Sequence, residues 1–113
     1  LYITGRMDTQ FISGGENIYP EEIEKYLIAQ NMVKYAIVIP KKNSIYGHIP
    51  IAIIKLNNSI KDKRKAIDSI NTQLRTILPN YKCPKHYYYW PEELEYSKNV
   101  RQKLKLKTDL EII

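Results

Sequence analysis

The sequence has 113 residues, of which 43% are hydrophobic and 27% charged, a size and composition typical of one folded domain rather than of a disordered segment. No apolar run approaches the length of a membrane span, and the first residues lack the charged-then-apolar layout of a signal peptide. The net charge of +6 is spread along the chain among acidic residues, which fits a surface that serves solubility or attracts anionic ligands better than a nucleic-acid footprint.

The N-terminal part predicts a hairpin, a glycine loop and a helix, in that order. Short β-type runs at residues 1–4 and 10–13 flank a Gly-Arg turn, which predicts a small antiparallel hairpin. Gly14 and Gly15 predict an exposed loop, because glycine allows φ > 0 and close approach of another group to the backbone. Proline suits the first helical position and two glutamates follow it, so a helix is predicted over residues 20–30.

Three further segments have the residue types of strands, at residues 33–39, 48–56 and 86–90. The first is rich in β-branched residues, the second is nearly continuous in isoleucine and the third is aromatic. An almost uninterrupted apolar strand is typical of a buried position, so residues 48–56 are predicted to be buried on both faces or to lie in the centre of the sheet.

Two further helices are predicted, at residues 60–78 and 99–107. Ser59 and Asp62 resemble a capping box at the start of the first of these. Its predicted apolar stripe consists of Ile67, Ile70, Leu74, Ile77 and Leu78. The second helix is short and basic. The predicted fold class is therefore α+β, with an N-terminal β-hairpin followed by a small sheet of about three strands flanked by helices.

Motifs in a characteristic order cover nearly the whole chain. The most specific is GGENIYPEEIE at residues 14–24, and it is followed by GHIPIAII at 47–54, YKCPK at 81–85 and SKNVR at 97–101. In these strings the chain resembles the C-terminal domain of the adenylate-forming (AMP-binding) superfamily, which includes acyl-CoA synthetases, luciferases and peptide-synthetase adenylation domains. It is most similar to the acyl- and aryl-CoA ligases, including the o-succinylbenzoate-CoA ligase group.

The resemblance implies the mobile lid of a two-step, ATP-dependent acyl-CoA synthetase (ligase). In such an enzyme a carboxylate attacks the α-phosphate of ATP, giving an acyl-adenylate and pyrophosphate. The lid then rotates, and the thiol of coenzyme A attacks the adenylate. The implied cofactors are ATP, with the Mg²⁺ expected of the family, and coenzyme A. The implied partner is the N-terminal adenylation domain of the same chain. A cytoplasmic location is expected, which the single cysteine also suits.

The first residues of the sequence bear on where this chain lies within a longer protein. The chain begins without a methionine, directly inside a strand-like run, so we expect a piece of a longer protein. Residues 1–113 are then a single C-terminal lid domain, in which residues 1–8 lie next to the hinge and residues 9–113 form the mobile part. The isolated fragment is expected to be inactive, because the resemblance implies that the ATP and acyl pockets lie mostly on the N-terminal part.

Three residues match positions of the family that act in the nucleotide step. Lys98 matches the catalytic lysine of adenylation, whose ammonium neutralises charge that develops between the carboxylate and the α-phosphate. Asp8 matches the hinge position, and Arg6 matches a residue near the ribose and phosphates. The alternatives are that Lys98 is one more lysine of a basic tail, Asp8 an ordinary turn aspartate and Arg6 a surface arginine. Ser97 replaces the family's usual Gly, and the loop at residues 91–97 is shorter than usual.

The resemblance also implies a site for coenzyme A. Gly14, Gly15 and Glu16 match the tunnel for the pantetheine arm, because a backbone without Cβ lets a thin chain pass and offers N–H donors. The alternative is an ordinary turn between hairpin and helix. Basic residues near the C-terminal end could hold the coenzyme's phosphates, or they are a solvated charge run. They are Arg101, Lys103, Lys105 and Lys107.

Two other functions stay open at this point. The altered loop before Lys98 favours a degenerate lid that serves as a regulatory or interaction module. A small basic nucleic-acid-binding domain is the less favoured alternative, and it is motivated by the net positive charge together with the aromatic residues 87–90. No metal site is predicted, because His48 and His86 have no cysteine or carboxylate partners at ligand spacing. Cys83 is predicted to be a small core residue rather than a nucleophile.

Overall fold

The computed structural model describes residues 10–92, 94–97, 99–106 and 110–113. In chain order the elements are β1 (Phe11–Ser13), β2 (Glu16–Ile18), α1 (Pro20–Ile28), β3 (Val33–Asn43), β4 (Gly47–Leu56), α2 (Lys63–Ile77), a 3₁₀ turn (Asn80–Lys82), β5 (His86–Tyr89) and α3 (Val100–Leu106). β1 and β2 form an antiparallel hairpin, and the second sheet has the order β3-β4-β5. The predicted α+β class, with a hairpin and a three-stranded sheet flanked by helices, is confirmed.

The described residues contain a hairpin that the sequence pattern does not reveal, and the predicted pairing of residues 1–4 with 10–13 stays a prediction. β1 pairs with β2, and Gly14 and Gly15 form the turn between them. Both glycines have positive φ, +57° and +85°, as a type I′ turn requires, and this turn matches the twist of a two-stranded ribbon. The glycines are therefore the turn of the hairpin itself rather than a loop after it. The strand predicted at residues 1–4 lies outside the described residues.

β4 is the central strand of the larger sheet, in agreement with the prediction of a buried or central position. It pairs antiparallel with β3 and parallel with β5. β3 continues past its predicted end, because Pro40 lies directly opposite Pro50 in the register. Since neither proline can donate an N–H, the pair can occupy only a position of the ladder that has no hydrogen bonds. The strands therefore remain paired as far as Asn43 and Gly47.

α2 differs from its prediction at the start and in one residue of its apolar stripe. Asp62 is the N-cap residue and its carboxylate accepts the backbone N–H of Lys65 at 3.0 Å, so the predicted capping box is wrong and the helix begins at Lys63. Ile77 is 47% exposed, so its assignment to the buried stripe is also wrong. The other four residues of the stripe are buried.

The two faces of the β3-β4-β5 sheet carry separate hydrophobic cores. The larger core lies between the sheet, α1 and α2, and includes Ile18, Ile23, Leu27, Val38, Ile54, Ile70, Leu74 and Tyr87. The smaller core lies on the opposite face and consists of Ile37, Ile39, Ile51, Ile53, Tyr88, Trp90, Val100 and Leu104. α3 contributes two residues to this smaller core, which holds the helix against the sheet. Among the described residues, no helix is long and apolar enough to cross a membrane.

Candidate functional site

A polar network joins α3 to α1 and β3. The guanidinium of Arg101 binds both carboxylate oxygens of Glu24, with Nη1–Oε2 and Nη2–Oε1 distances of 2.8 and 2.9 Å. Nη1 also donates to the backbone oxygen of Val38 at 2.7 Å, and Nη2 reaches Oε2 of Glu21 at 3.3 Å. Such a two-pronged contact fixes the orientation as well as the position of the arginine. Arg101 is therefore an anchor of α3.

Glu24 is a buried carboxylate, with 8% of the residue exposed. Burial raises the pKa of Glu24 above its ordinary value, while the hydrogen bonds from Arg101 and from the backbone N–H of Val38 oppose the rise. The sequence pattern does not single out Glu24 as special. The available signal is its place at helical spacing from Pro20 and Leu27, since a carboxylate on the apolar face of a helix needs a buried partner.

Three aromatic rings stack beside the loop that precedes α3. The Tyr96 ring lies 4.9 Å from the Tyr35 ring with 26° between their planes, and 6.2 Å from the Trp90 ring with 17° between them. Tyr35 and Trp90 contact each other at 5.4 Å. We call Tyr35, Trp90 and Tyr96 the aromatic clamp. The indole N–H of Trp90 also donates to the backbone oxygen of Leu94 at 2.7 Å, which folds the start of the loop against the clamp.

Lys98, the predicted catalytic lysine, lies outside the described residues, but its neighbours on both sides are described. Tyr96 precedes it by two positions and belongs to the aromatic clamp. Val100 and Arg101 follow it, the first in the smaller core and the second in the network with Glu24. The backbone N–H of Val100 donates to the oxygen of Ser97 at 3.2 Å. The residues on each side of position 98 are thus attached to the sheet.

The glycine turn forms one wall of a small cleft. The backbone N–H of Gly14 donates to the oxygen of Tyr46 at 3.0 Å, and a Cβ on Gly14 would lie 3.0 Å from the Tyr46 ring. A Cβ on Gly15 would meet no atom within 4 Å, so its backbone is open to another molecule. The cleft has a volume of about 150 Å³. Its lining residues are Ser13, Gly14, Glu16, Tyr46, Asn80, Tyr81 and Lys85.

The structure brings the three predicted tunnel residues together and adds others that the sequence does not reveal. Gly14, Gly15 and Glu16 all belong to the hairpin turn or its exit. Tyr46 and Lys85 join them from the β3–β4 turn and from the segment before β5, and only the tertiary fold makes them neighbours. Asp8 and Arg6, with the rest of residues 1–9, lie outside the described part of the chain, as does Lys107.

The remaining candidates are Cys83 and the basic residues of α3. Cys83 is buried, and burial raises the pKa of its thiol, so the prediction of a core residue is confirmed. Lys103 and Lys105 are exposed on α3, whereas Arg101 is engaged with Glu24. In the part of the chain that the structure describes, no group of three or more histidine, cysteine, aspartate or glutamate side chains could hold a metal ion.

Comparison with known proteins gives consistent matches. Residues 22–100 match the model of a family described as AMP-binding enzyme C-terminal domain. The 2-succinylbenzoate–CoA ligase of Haemophilus influenzae is 38% identical over 103 residues, which are 91% of this chain and 22% of that protein. The chain therefore spans about a fifth of the length of this curated relative.

Two solved structures of o-succinylbenzoate CoA synthetase from Bacillus subtilis are also similar. The complex with the acyl-adenylate intermediate OSB-AMP superposes with a TM-score of 0.77 at 27% identity, covering 98% of this chain and 22% of that one. A double mutant bound with the product analogue OSB-NCoA superposes with a TM-score of 0.75 at 26% identity, covering 99% and 22%. The fold likeness therefore extends over almost all of this chain.

Proposed function

The chain belongs to the AMP-binding enzyme C-terminal domain family, and we propose that it is the C-terminal lid of an ATP-dependent acyl- or aryl-CoA ligase. The observation that carries this proposal is the likeness to a 2-succinylbenzoate–CoA ligase across 91% of the chain. The relatives' name also suggests an aromatic carboxylic acid such as 2-succinylbenzoate as the substrate. We place the N-terminal adenylation domain upstream in the same protein, with residues 1–8 next to the hinge and residues 9–113 in the mobile part.

In the first step, an oxygen of the carboxylate attacks the α-phosphorus of ATP, and the bond to the bridging oxygen breaks so that pyrophosphate leaves. Lys98 donates to the oxygens on which charge accumulates, because a positioned ammonium stabilises the transition state more than the ground state. Arg6 binds the ribose and phosphates, and Asp8 absorbs the rotation of the lid. The Mg²⁺ expected of the family would be bound through the phosphates of ATP, which are ligands that it prefers.

In the second step, the thiol of coenzyme A attacks the carbonyl carbon of the adenylate, the thiol proton is released and AMP leaves. The pantetheine arm passes the glycine turn, where Gly15 leaves open space over the backbone. Glu16 and Lys85 line the cleft beside Gly14 and give it both charges, and Lys85 suits the phosphates of the coenzyme. This arrangement supports a turn that serves the thioester step, in addition to closing the hairpin.

The direct test uses the full-length protein that contains this chain. Pyrophosphate release and thioester formation are measured with ATP, coenzyme A and a panel of carboxylic acids that includes 2-succinylbenzoate, benzoate and medium-chain fatty acids. We expect an aromatic acid to give both products. A protein that binds nucleotide but forms no adenylate from any acid would contradict this proposal. It would favour a regulatory or interaction module instead. The replacement of the family's usual Gly by Ser97 is the observation that motivates this alternative.

A paired glycine substitution tests the role of the turn. Gly15 and Gly47 have similar φ values, +85° and +81°, and a Cβ on either would meet no atom within 4 Å. Alanine at either position therefore costs about 1–2 kcal/mol of stability through the left-handed conformation. We expect only Gly15→Ala to slow thioester formation from supplied adenylate, by about tenfold, because its methyl group enters the path of the pantetheine arm.

The measurement is the rate of each half-reaction in the two variants. Adenylate formation is expected to stay within about twofold of wild type in both, and Gly47→Ala is expected to leave the thioester step unchanged as well. Equal losses of thioester formation in both variants would show that backbone strain, and not the open space at Gly15, is responsible.

A further inference from the structure

We infer that the aromatic clamp positions the segment that carries Lys98. Tyr96 is then a positioning residue for adenylation. The effect on adenylation rests on the proposed function. The clamp consists of Tyr35, Trp90 and Tyr96 and lies immediately before this segment. The family resemblance assigns no role to these rings. Described residues on both sides of the segment are attached to the sheet.

The N-terminal end is attached by ring stacking. Tyr96 is 51% exposed, yet its ring lies 4.9 Å from Tyr35 and 6.2 Å from Trp90, at angles of 26° and 17°. A stacked aromatic pair contributes about 0.5–1.5 kcal/mol beyond the area it buries. A loop tyrosine with half of its surface in water would otherwise sample several rotamers. The stack therefore restricts the backbone at Tyr96, two positions before the lysine.

The platform under Tyr96 is itself rigid. Tyr35 belongs to β3, and Trp90 directly follows β5 and is buried in the smaller core. The indole N–H of Trp90 holds the backbone oxygen of Leu94 at 2.7 Å, and the N–H of Leu94 donates to the oxygen of Pro91 at 3.1 Å. The loop from Pro91 is thus folded back onto the face of the sheet that carries the smaller core, against which Leu94 packs.

The C-terminal end is attached by α3. Val100 and Leu104 are buried in the smaller core, and Arg101 binds Glu24 and the backbone oxygen of Val38. Only residues 97–99 lie between Tyr96 of the clamp and Val100 of this attachment. A segment this short, fixed at both ends, has few conformations to lose when it becomes ordered. The loop before Lys98 is shorter than usual for the family, and attachment at both ends makes a short loop sufficient to present the lysine.

Loss of the clamp is expected to slow adenylation, because an ammonium stabilises the charge of a transition state only when it lies at the right distance. A displacement of about 1 Å in a catalytic group can lower the rate about a hundredfold. Without the ring of Tyr96 the N-terminal attachment is lost, and the ammonium of Lys98 visits its productive position less often. The thioester step uses the glycine turn instead, so it does not depend on the clamp.

The catalytic test compares Tyr96→Ala with Tyr96→Phe in the full-length protein. Tyr96→Ala is expected to lower kcat of adenylate formation by about tenfold or more, with KM for ATP and thioester formation from supplied adenylate both within about twofold of wild type. Tyr96→Phe keeps the stacked ring and is expected to restore adenylate formation. Wild-type adenylate formation in Tyr96→Ala, or equal losses in both half-reactions, would overturn the inference.

A second measurement does not require activity. Trypsin cuts after lysine only where the backbone can open, so loss of the clamp is expected to speed cleavage of the Lys98–Asn99 bond about fivefold or more in Tyr96→Ala but not in Tyr96→Phe. Cleavage after Lys61, an exposed residue of the loop before α2, is the internal control and is expected to stay the same. Unchanged cleavage at Lys98 would overturn the inference. If the wild type makes no adenylate, the proposed function fails, while faster cleavage in Tyr96→Ala still supports a clamp that orders the segment.

Discussion

Replacing Lys98 by alanine in the full-length protein is expected to lower the rate of acyl-adenylate formation by about 10²- to 10³-fold, as removal of a preorganised transition-state donor does. Thioester formation from supplied adenylate is expected to persist, because the proposed function assigns that step to the glycine turn and not to the lysine. The measurement is pyrophosphate release in the first half-reaction and thioester release in the second. KM for ATP should change less than kcat, since the lost interaction forms mainly in the transition state.

The matched control for this substitution is Lys103→Ala. Lys103 is an exposed lysine of α3, five positions further along, and it contributes to the same basic end of the chain. Its loss changes the net charge equally but removes no group from the reacting centre, so both half-reactions should stay within about twofold of wild type. If Lys98→Ala and Lys103→Ala behave alike, Lys98 is one more lysine of a basic tail.

The elements that the sequence predicts well are those in which local pattern and tertiary environment agree. The isoleucine run of β4 has the composition of a strand buried on both faces, and β4 is the central strand. Pro20 begins α1 because proline lacks only an N–H that the first turn does not use. In such segments, the local preference and the fold favour the same conformation, so the pattern is sufficient.

The predictions that are wrong each depend on a partner that is distant in sequence or on a choice between two neighbouring caps. β3 passes through Pro40 only because Pro50 lies opposite, and no local pattern contains that information. α2 begins after Asp62, since this carboxylate caps the helix and does not occupy its third position.

The candidate site also contains some residues that the sequence reveals and others that it does not. The glycines and the lysine are recognisable because they belong to short motifs. The contacts of the residues around the lysine are not recognisable, because the ring of Tyr35, which stacks on Tyr96, and the oxygen of Val38, which accepts from Arg101, both come from β3, far away in the chain. A motif thus identifies the chemistry, while the precision of the chemistry depends on contacts that only the folded chain creates.

Arg101→Ala is expected to have the largest effect on stability, a loss of about 3–5 kcal/mol near neutral pH, because it leaves a buried carboxylate without its partner. Glu24 keeps only the backbone N–H of Val38, and the oxygen of Val38 loses its contact with the guanidinium. The free energy of opening can be measured by hydrogen exchange at buried amides of β4 in the full-length protein, corrected for intrinsic exchange.

The loss should depend on pH with a definite sign. Burial already raises the pKa of Glu24 above its ordinary value, and Arg101 is among the groups that oppose this rise. Without Arg101, the pKa of folded Glu24 rises further. A carboxyl with a raised folded pKa stabilises the fold below its unfolded pKa, and this contribution is lost as the pH rises through the folded value. The difference between wild type and Arg101→Ala should therefore be widest near neutral pH and narrow as the pH falls towards the ordinary pKa of glutamate.

Lys82→Ala is the control, because it also removes an ion pair between two elements, but at the surface. Lys82 binds Glu22 at 2.9 Å, with 19% and 41% of the two side chains exposed. Its loss is expected to cost less than about 1 kcal/mol.

The double variant Glu24→Gln/Arg101→Ala should recover part of the stability that Arg101→Ala loses, because an amide is neutral and leaves no buried charge. Equal effects of Arg101→Ala and Lys82→Ala, or a difference that does not narrow at low pH, would mean that the Arg101–Glu24 contact is not the anchor of α3.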